Sequence, residues 1–244
     1  GGGPSRKLRI LCLHGFRQNA SSFKGRTASL AKKLKHLVEF IYMDAPHELP
    51  FIYRPSSPNV STLAEQVPPG KCNRKFAWLL ARSCEGRSDT EWKLADAPFD
   101  PLQYQHQTEG LEGSLAHLKT VLSQQGPFDG ILGFSQGAAM AALLCMERQR
   151  EKTAMDFKFA ILCSGFPAAQ LAEMPSESIR CPSLHIFGSL VGADRQIANH
   201  ASRDFAALFA KQDSVVIEHE CGHIIPTRHP YIDNIRSFLQ RFAC

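Results

Sequence analysis

No stretch of this chain approaches the roughly 18 consecutive apolar residues of a membrane-spanning helix. Its start also lacks the charged-then-apolar layout of a secretory signal. These absences predict a soluble protein with no stable membrane insertion. Cysteine is sparse, eight in 244 residues, which excludes the dense crosslinking of a small secreted scaffold. No two cysteines form a C-x-x-C pair, so no zinc site of that kind is expected. Cys12 and Cys163 lie inside apolar runs, where cysteine behaves as a small buried hydrophobe. A reducing, cytoplasmic compartment fits this usage. Neither sign of charge dominates, with 28 Lys and Arg against 23 Asp and Glu. Part of the basic excess gathers between Arg6 and Lys35, which is one way a nucleic-acid footprint begins. The favoured reading is a solvated helix face, because Lys32, Lys33 and Lys35 interrupt an otherwise amphipathic segment. No nucleic-acid partner is expected.

What is present is ordinary globular material, 43% hydrophobic and 21% charged, enough for one sizeable core. The opening Gly1-Gly2-Gly3-Pro4-Ser5 has no apolar periodicity, so residues 1–7 read as a linker and the domain as 8–244. Strand-like apolar runs then alternate with helix-period stretches, which predicts a mostly parallel sheet with helices on both faces. The expected strands are Leu8–Leu13, Val38–Met43, Gly130–Phe134, Phe157–Cys163, Ser183–Phe187 and Ser214–Glu218. Helices are expected from Ser21 to His36, Thr108 to Gln124 and Gln136 to Gln149, then through Ile197–Leu208 and Ile232–Phe242. The alternation fails between about 48 and 106, where Pro50, Pro55, Pro58, Pro68, Pro69, Pro98 and Pro101 punctuate scattered aromatics. An insertion of this length carrying Phe51, Tyr53, Phe76, Trp78, Trp92, Phe99 and Tyr104 reads as a lid or cap that packs in part. The alternative is a surface excursion covering the core edge.

Gly133-Phe134-Ser135-Gln136-Gly137 matches G-x-S-x-G, in which a serine on a tight strand-to-helix turn is lifted above the sheet edge. The pattern alone is weak, but here an apolar strand runs directly into it and an Ala-rich helix directly out. Gly133 and Gly137 are needed because side chains there would meet the neighbouring strand and helix. A serine hydroxyl needs a base to take its proton and an acid to orient that base. In the α/β-hydrolase fold the chain order is Ser, then Asp or Glu, then His. His223, in Cys221-Gly222-His223 just past a strand, is the expected base, with His219 and His229 as rivals. Asp194 is the first carboxylate after the strand ending at Phe187 and is the expected acid; its alternative role is a helix N-cap. Asp204 and Asp213 lie in or beyond the next helix. Backbone N–H groups of Gln136 and Phe16 are expected to face the oxyanion, with Gly15 allowing close backbone approach. His14 is then a loop-fixing residue rather than a base.

With these residues in place the chain resembles the FSH family of serine hydrolases. The likeness runs from Leu8 onward through Leu11-Cys12-Leu13-His14-Gly15-Phe16-Arg17-Gln18, Gly126-Pro127-Phe128-Asp129-Gly130, Gly133 to Gly137, and Gly222-His223. It is similar, more closely, to the C-terminal hydrolase domain of plant rhodanese-like proteins, which implies an N-terminal rhodanese-like domain in a longer parent chain. The resemblance implies carboxylesterase activity, in some members on long acyl chains, and a triad of Ser135, Asp194 and His223. One departure is visible. The family often has a short Gly-Asp-x-Asp turn before the acid, whereas Ser189 to Ala193 separate Gly188 from Asp194 here.

The expected function is hydrolysis of a small-molecule ester or thioester with an apolar acyl group, through an acyl-enzyme on Ser135, without metal or organic cofactor. The alternatives are a non-catalytic ligand- or protein-binding module on the same scaffold and a cysteine-dependent enzyme using Cys221 or Cys163.

Overall fold

A computed structural model describes residues 6–50, 52–53, 74–82, 93–94, 103–151, 155–172, 177–190 and 194–243. The chain begins with β1 (Leu8–Leu13), α1 (Ala20–Arg26), α2 (Ala28–Lys33) and β2 (Val38–Met43). Four short strands follow: β3 (His47–Glu48), β4 (Ile52–Tyr53), β5 (Phe76–Ala77) and β6 (Lys93–Leu94). After a 3₁₀ turn at Gln103–His106 come α3 (Leu111–Gln125), β7 (Gly130–Phe134), α4 (Gln136–Glu151), β8 (Phe159–Cys163) and α5 (Ala169–Ala172). The chain closes with β9 (Ser183–Gly188), α6 (Asn199–Ala206), β10 (Ser214–His219) and α7 (Tyr231–Gln240).

Six of the described strands form one sheet in the order β2-β1-β7-β8-β9-β10, every adjacent pair parallel. Strands covered on both faces need apolar residues at every position. Gly130–Phe134 and Phe159–Cys163 are apolar and buried throughout, and Ser183–Gly188 is buried too, its Ser183 hydroxyl and His185 Nε2 bonded to each other at 2.9 Å. Along β1, Leu11 and Leu13 enter one core with residues of α3, α4 and α6, while Ile10 and Cys12 enter the other with residues of α1, α2 and α7. The chain moves from β1 outward to β2, then returns to the other side of β1 as β7. This makes the β1/β7 boundary the switch point, where parallel α/β sheets open a crevice above their carboxyl ends.

The predicted sheet and its helical layers are present, with local differences. The expected helix over Ser21–His36 is two helices meeting at Thr27. The Thr27 hydroxyl donates back to the Phe23 carbonyl at 2.9 Å and also touches the Tyr42 hydroxyl of β2 at 2.5 Å, so a side chain competes with the helix ladder there. α3 begins at Leu111 rather than Thr108, because Gly110 turns the chain with φ of 90°. Order also starts before Leu8: Arg6 holds both carboxylate oxygens of Asp129 at 2.9 Å, so the expected linker does not extend to residue 7. Residues 1–5 lie outside the described set. Lys32, Lys33 and Lys35 are exposed beside buried Leu30 and Leu34, as a solvated helix face requires.

Much of the expected lid, including Phe51, Trp92 and Phe99, lies outside the described residues. Its stretch 74–82 is described, and it packs in part: the middle of it is buried while Ala81 and Arg82 are exposed. Ala77, Trp78 and Leu79 are fully buried, and β5 pairs antiparallel with β3. The apolar run Phe76–Leu80 enters the molecule and satisfies its backbone there, as the site below makes plain.

Candidate active site

β7 delivers Ser135 to the crevice at the switch point. Ser135 has φ of 56°, the left-handed region that L-residues with side chains avoid, so the turn is held rather than relaxed. The flanking glycines explain how it is held. A Cβ on Gly137 would stand 2.1 Å from the Leu13 carbonyl oxygen, and one on Gly133 would stand 2.3 Å from that of Gly137. Strand β1 and helix α4 therefore pinch the turn at distances only glycine allows. Ser135 is 9% exposed, and its N–H donates to the Cys163 carbonyl at 2.8 Å.

The loops after β9 and β10 bring the other two expected residues together. His223 Nδ1 lies 2.5 Å from Asp194 Oδ2. The other carboxylate oxygen, Oδ1, accepts from the N–H groups of Gln196 at 2.8 Å and Ile197 at 2.9 Å. Asp194 thus fixes its own turn with one oxygen and the imidazole with the other; it does not cap α6, which starts at Asn199. Burial pushes the Asp194 carboxyl upward, but the hydrogen bonds from His223, Ile197 and Gln196 outweigh it and leave the group below its ordinary range. The His223 ring lies 4.7 Å from that of Phe134, the residue before Ser135. Among the described residues Ser135 Oγ makes no hydrogen bond, so the Asp194–His223 contact is formed here and a Ser135–His223 one is not.

The rivals separate cleanly. His219 ends β10, buried, its Nδ1 accepting from the Cys221 N–H at 3.0 Å; His229 is exposed and bonds Asp233. His14 is fully buried. Its Nε2 accepts from the Ala45 N–H at 2.9 Å, so Nδ1 carries the proton and donates to the Gly15 carbonyl at 2.7 Å. Burial lowers its pKa to about 4, so it is a neutral strut. The Cys163 thiol is buried and pushed well up by that burial, the opposite of an activated nucleophile.

The two backbone donors expected at an oxyanion site have no acceptor among the described residues. Gln136 opens α4, and the first N–H groups of a helix have no partner within it. In the loop after β1, the Gly15 N–H goes to Gln18 Oε1 and the Arg17 N–H to the Phe76 carbonyl. The Phe16 N–H between them has no acceptor among the described residues.

Sequence reasoning missed a polar clamp beneath the serine. The Gln136 side chain is buried, and its Oε1 accepts from the N–H groups of Trp78 at 2.8 Å and Leu79 at 3.2 Å. Its Nε2 donates to the Leu79 carbonyl and to Gln107 Oε1, both at 2.9 Å. Trp78 Nε1 in turn donates to the His14 carbonyl at 2.9 Å. Residues 77–79 are thereby tied to both walls of the crevice. The only hint in the sequence is the apolar run Phe76–Leu80 inside a Pro-rich tract.

Comparison with known proteins places the chain in a family and agrees with the fold. The family model described as "Serine hydrolase (FSH1)" matches residues 4–235. The chain is 57% identical to Rhodanese-like domain-containing protein 6 of Arabidopsis thaliana across 97% of its own length, but spans 39% of that protein. It is 36% identical to Esterase OVCA2 of Danio rerio, covering 96% of this chain and 97% of the relative. Human Esterase OVCA2 is 33% identical, with 98% of each chain covered. Among solved structures, esterase PE8 matches with a TM-score of 0.60 at 20% identity over 98% of this chain and 94% of that one. Zea mays acyl-protein thioesterase 2 matches with a TM-score of 0.58 at 20% identity over 97% and 94%. These structural likenesses establish the α/β-hydrolase fold. The chain belongs to the FSH1 family of serine hydrolases.

Proposed function

We propose that this chain hydrolyses a carboxylic ester or thioester through an acyl-enzyme on Ser135. In this reading Ser135 Oγ attacks the acyl carbonyl while His223 Nε2 takes its proton, and Asp194 holds the imidazole tautomer and stabilises the imidazolium. The N–H groups of Gln136 and Phe16 bind the oxyanion. The imidazolium then gives its proton to the leaving alkoxide or thiolate. Water, deprotonated by His223, adds to the acyl-enzyme, and the free acid leaves as Ser135 regains its proton. The scheme calls for no cofactor.

The observation that carries the reading is the 2.5 Å Asp194–His223 contact, with the imidazole packed beside Phe134 at the serine turn. The unbonded Ser135 hydroxyl is compatible with it, since catalytic hydrogen bonds often tighten only when substrate binds. An apolar acyl half is supported by Leu190 and Ile224, exposed apolar residues on the loops that carry Asp194 and His223. Buried, free Cys12, Cys145, Cys163 and Cys181 support a reducing, cytoplasmic setting. No described helix is long and apolar enough to cross a membrane. An attached rhodanese-like domain in the parent chain is supported by the Arabidopsis relative.

The test is release of p-nitrophenol from esters of increasing acyl length by wild type and Ser135→Ala. Turnover that disappears in the variant is expected, and the length profile reports the depth of the acyl site. A folded wild type inert toward every ester supports the binding-module alternative instead.

A further inference from the structure

Arg17 stands where the loop after β1 crosses the nucleophile turn. A Cβ on Gly15 would lie 3.3 Å from the Phe134 ring and 3.4 Å from the Phe134 carbonyl oxygen, so this loop rests on the residue before Ser135. Arg17 is two residues further on, about 7–8 Å of chain at most, and a long side chain extends its reach. Its φ is 60°, a conformation that suits glycine and disfavours an arginine. Its N–H is locked to the Phe76 carbonyl at 3.0 Å. Backbone needs alone would favour glycine here, so the side chain is the reason to look for a task.

The guanidinium is half-buried and has no carboxylate partner among the described residues. Nη1 donates to the Pro50 carbonyl at 3.0 Å, and the group lies 5.6 Å from the Phe16 ring. Of the described acids near this loop, Glu48 pairs with Arg74, and Asp44 Oδ1 accepts from the Ala20 N–H at 2.7 Å without an ion pair to Arg17. Burial lowers the Arg17 pKa to about 10, and the group is cationic at neutral pH. A charge withdrawn from water with no counter-ion among the described residues is unfavourable, and the planar guanidinium fork is matched by a carboxylate. Arg74 is already neutralised by Glu48, so among the described residues of this loop region Arg17 offers one charge, which suits a monoanion better than a doubly charged phosphate.

We propose that Arg17 anchors a carboxylate of the substrate, so that the preferred ester or thioester carries a negative charge near its reacting carbonyl. The proposal rests on the hydrolase reading above and names its substrate class. The carboxylate belongs to the acyl half or to the leaving half, and matched substrate pairs distinguish these. For the acyl half the pair is mono-p-nitrophenyl glutarate against p-nitrophenyl hexanoate. For the leaving half it is para-carboxyphenyl hexanoate against para-carbamoylphenyl hexanoate. The readout is the charged-to-neutral ratio of kcat/KM, which cancels general effects of a substitution on turnover. Wild type is expected to prefer one charged partner about tenfold or more, the scale of a charge-assisted hydrogen bond. Arg17→Gln should bring that ratio close to one, and Arg17→Lys should restore part of it. Thermal melts establish that the variants are folded. Wild type with no preference for either carboxylate, or a preference that survives Arg17→Gln, overturns the proposal while Ser135-dependent turnover leaves the hydrolase reading standing. A folded wild type that hydrolyses none of the four overturns both.

Discussion

His223 Nδ1 and Asp194 Oδ2 meet at 2.5 Å across two loops that leave the adjacent strands β9 and β10. Asp194→Asn keeps the oxygen that receives Gln196 and Ile197 but turns an N–H donor toward the imidazole, which favours the wrong tautomer. Expected is a fall in kcat of about a thousand- to ten-thousandfold. Stopped-flow release of p-nitrophenol from the folded variant checks it. A loss below tenfold would mean the contact is structural.

Acid should destabilise the fold through its buried histidines. Burial lowers His14 to about 4 and His185 to about 3 from an ordinary 6.5. The unfolded chain therefore takes these protons first, and stability is lost as pH falls from about 6.5 toward the folded values. Each group is expected to cost about 2 kcal/mol by pH 5. His185 Nδ1 is buried without a partner, so His185→Leu removes a titrating group and an orphaned atom together. Urea midpoints at pH 7 and pH 5 should differ less in His185→Leu than in wild type. An equal difference would contradict the assignment.

Asp194 adds a separate component at lower pH. Its depressed pKa stabilises the fold above the ordinary 3.8, and that contribution is lost as pH falls through the folded value. The melting temperature of Asp194→Asn should be flatter below pH 4 than that of wild type.

The clamp beneath the serine should carry more stability than a surface contact. Gln136→Leu leaves the Trp78 and Leu79 N–H groups buried without an acceptor. A loss of about 2–6 kcal/mol is expected, from a penalty near 1–3 kcal/mol for each of these two groups. Chemical denaturation measures it, and a loss under 1 kcal/mol would show that residues 77–79 find other partners.

Gly137→Ala forces a Cβ to 2.1 Å from the Leu13 carbonyl oxygen, so β1 and α4 must separate. Expected is a destabilisation of about 1–3 kcal/mol, together with slower reaction of Ser135 in the fraction that folds. An unchanged melt would mean the pinch is looser than the geometry indicates.

The sheet, the serine turn and the Asp and His of the candidate site were legible in the sequence because each leaves a local mark. Continuous apolar runs mark Gly130–Phe134 and Phe159–Cys163, glycines bracket Ser135, and Asp194 and His223 lie in the loops that follow strands. The break at Thr27 was not legible, since it depends on Tyr42 from a neighbouring strand. Nor was the Gln136–Trp78–Gln107 clamp, whose bonds join residues up to 58 positions apart and so have no sequence period. Which part of the 48–106 insertion packs was not legible for the same reason: aromatics in a Pro-rich tract do not reveal that Ala77, Trp78 and Leu79 are the buried ones.

The most direct measurement is the site of reaction with a fluorophosphonate, read by mass on peptides of the intact protein. The account predicts a single adduct on Ser135, absent in Ser135→Ala and greatly slowed in His223→Ala. An adduct on another residue, or labelling that persists in Ser135→Ala, would contradict it.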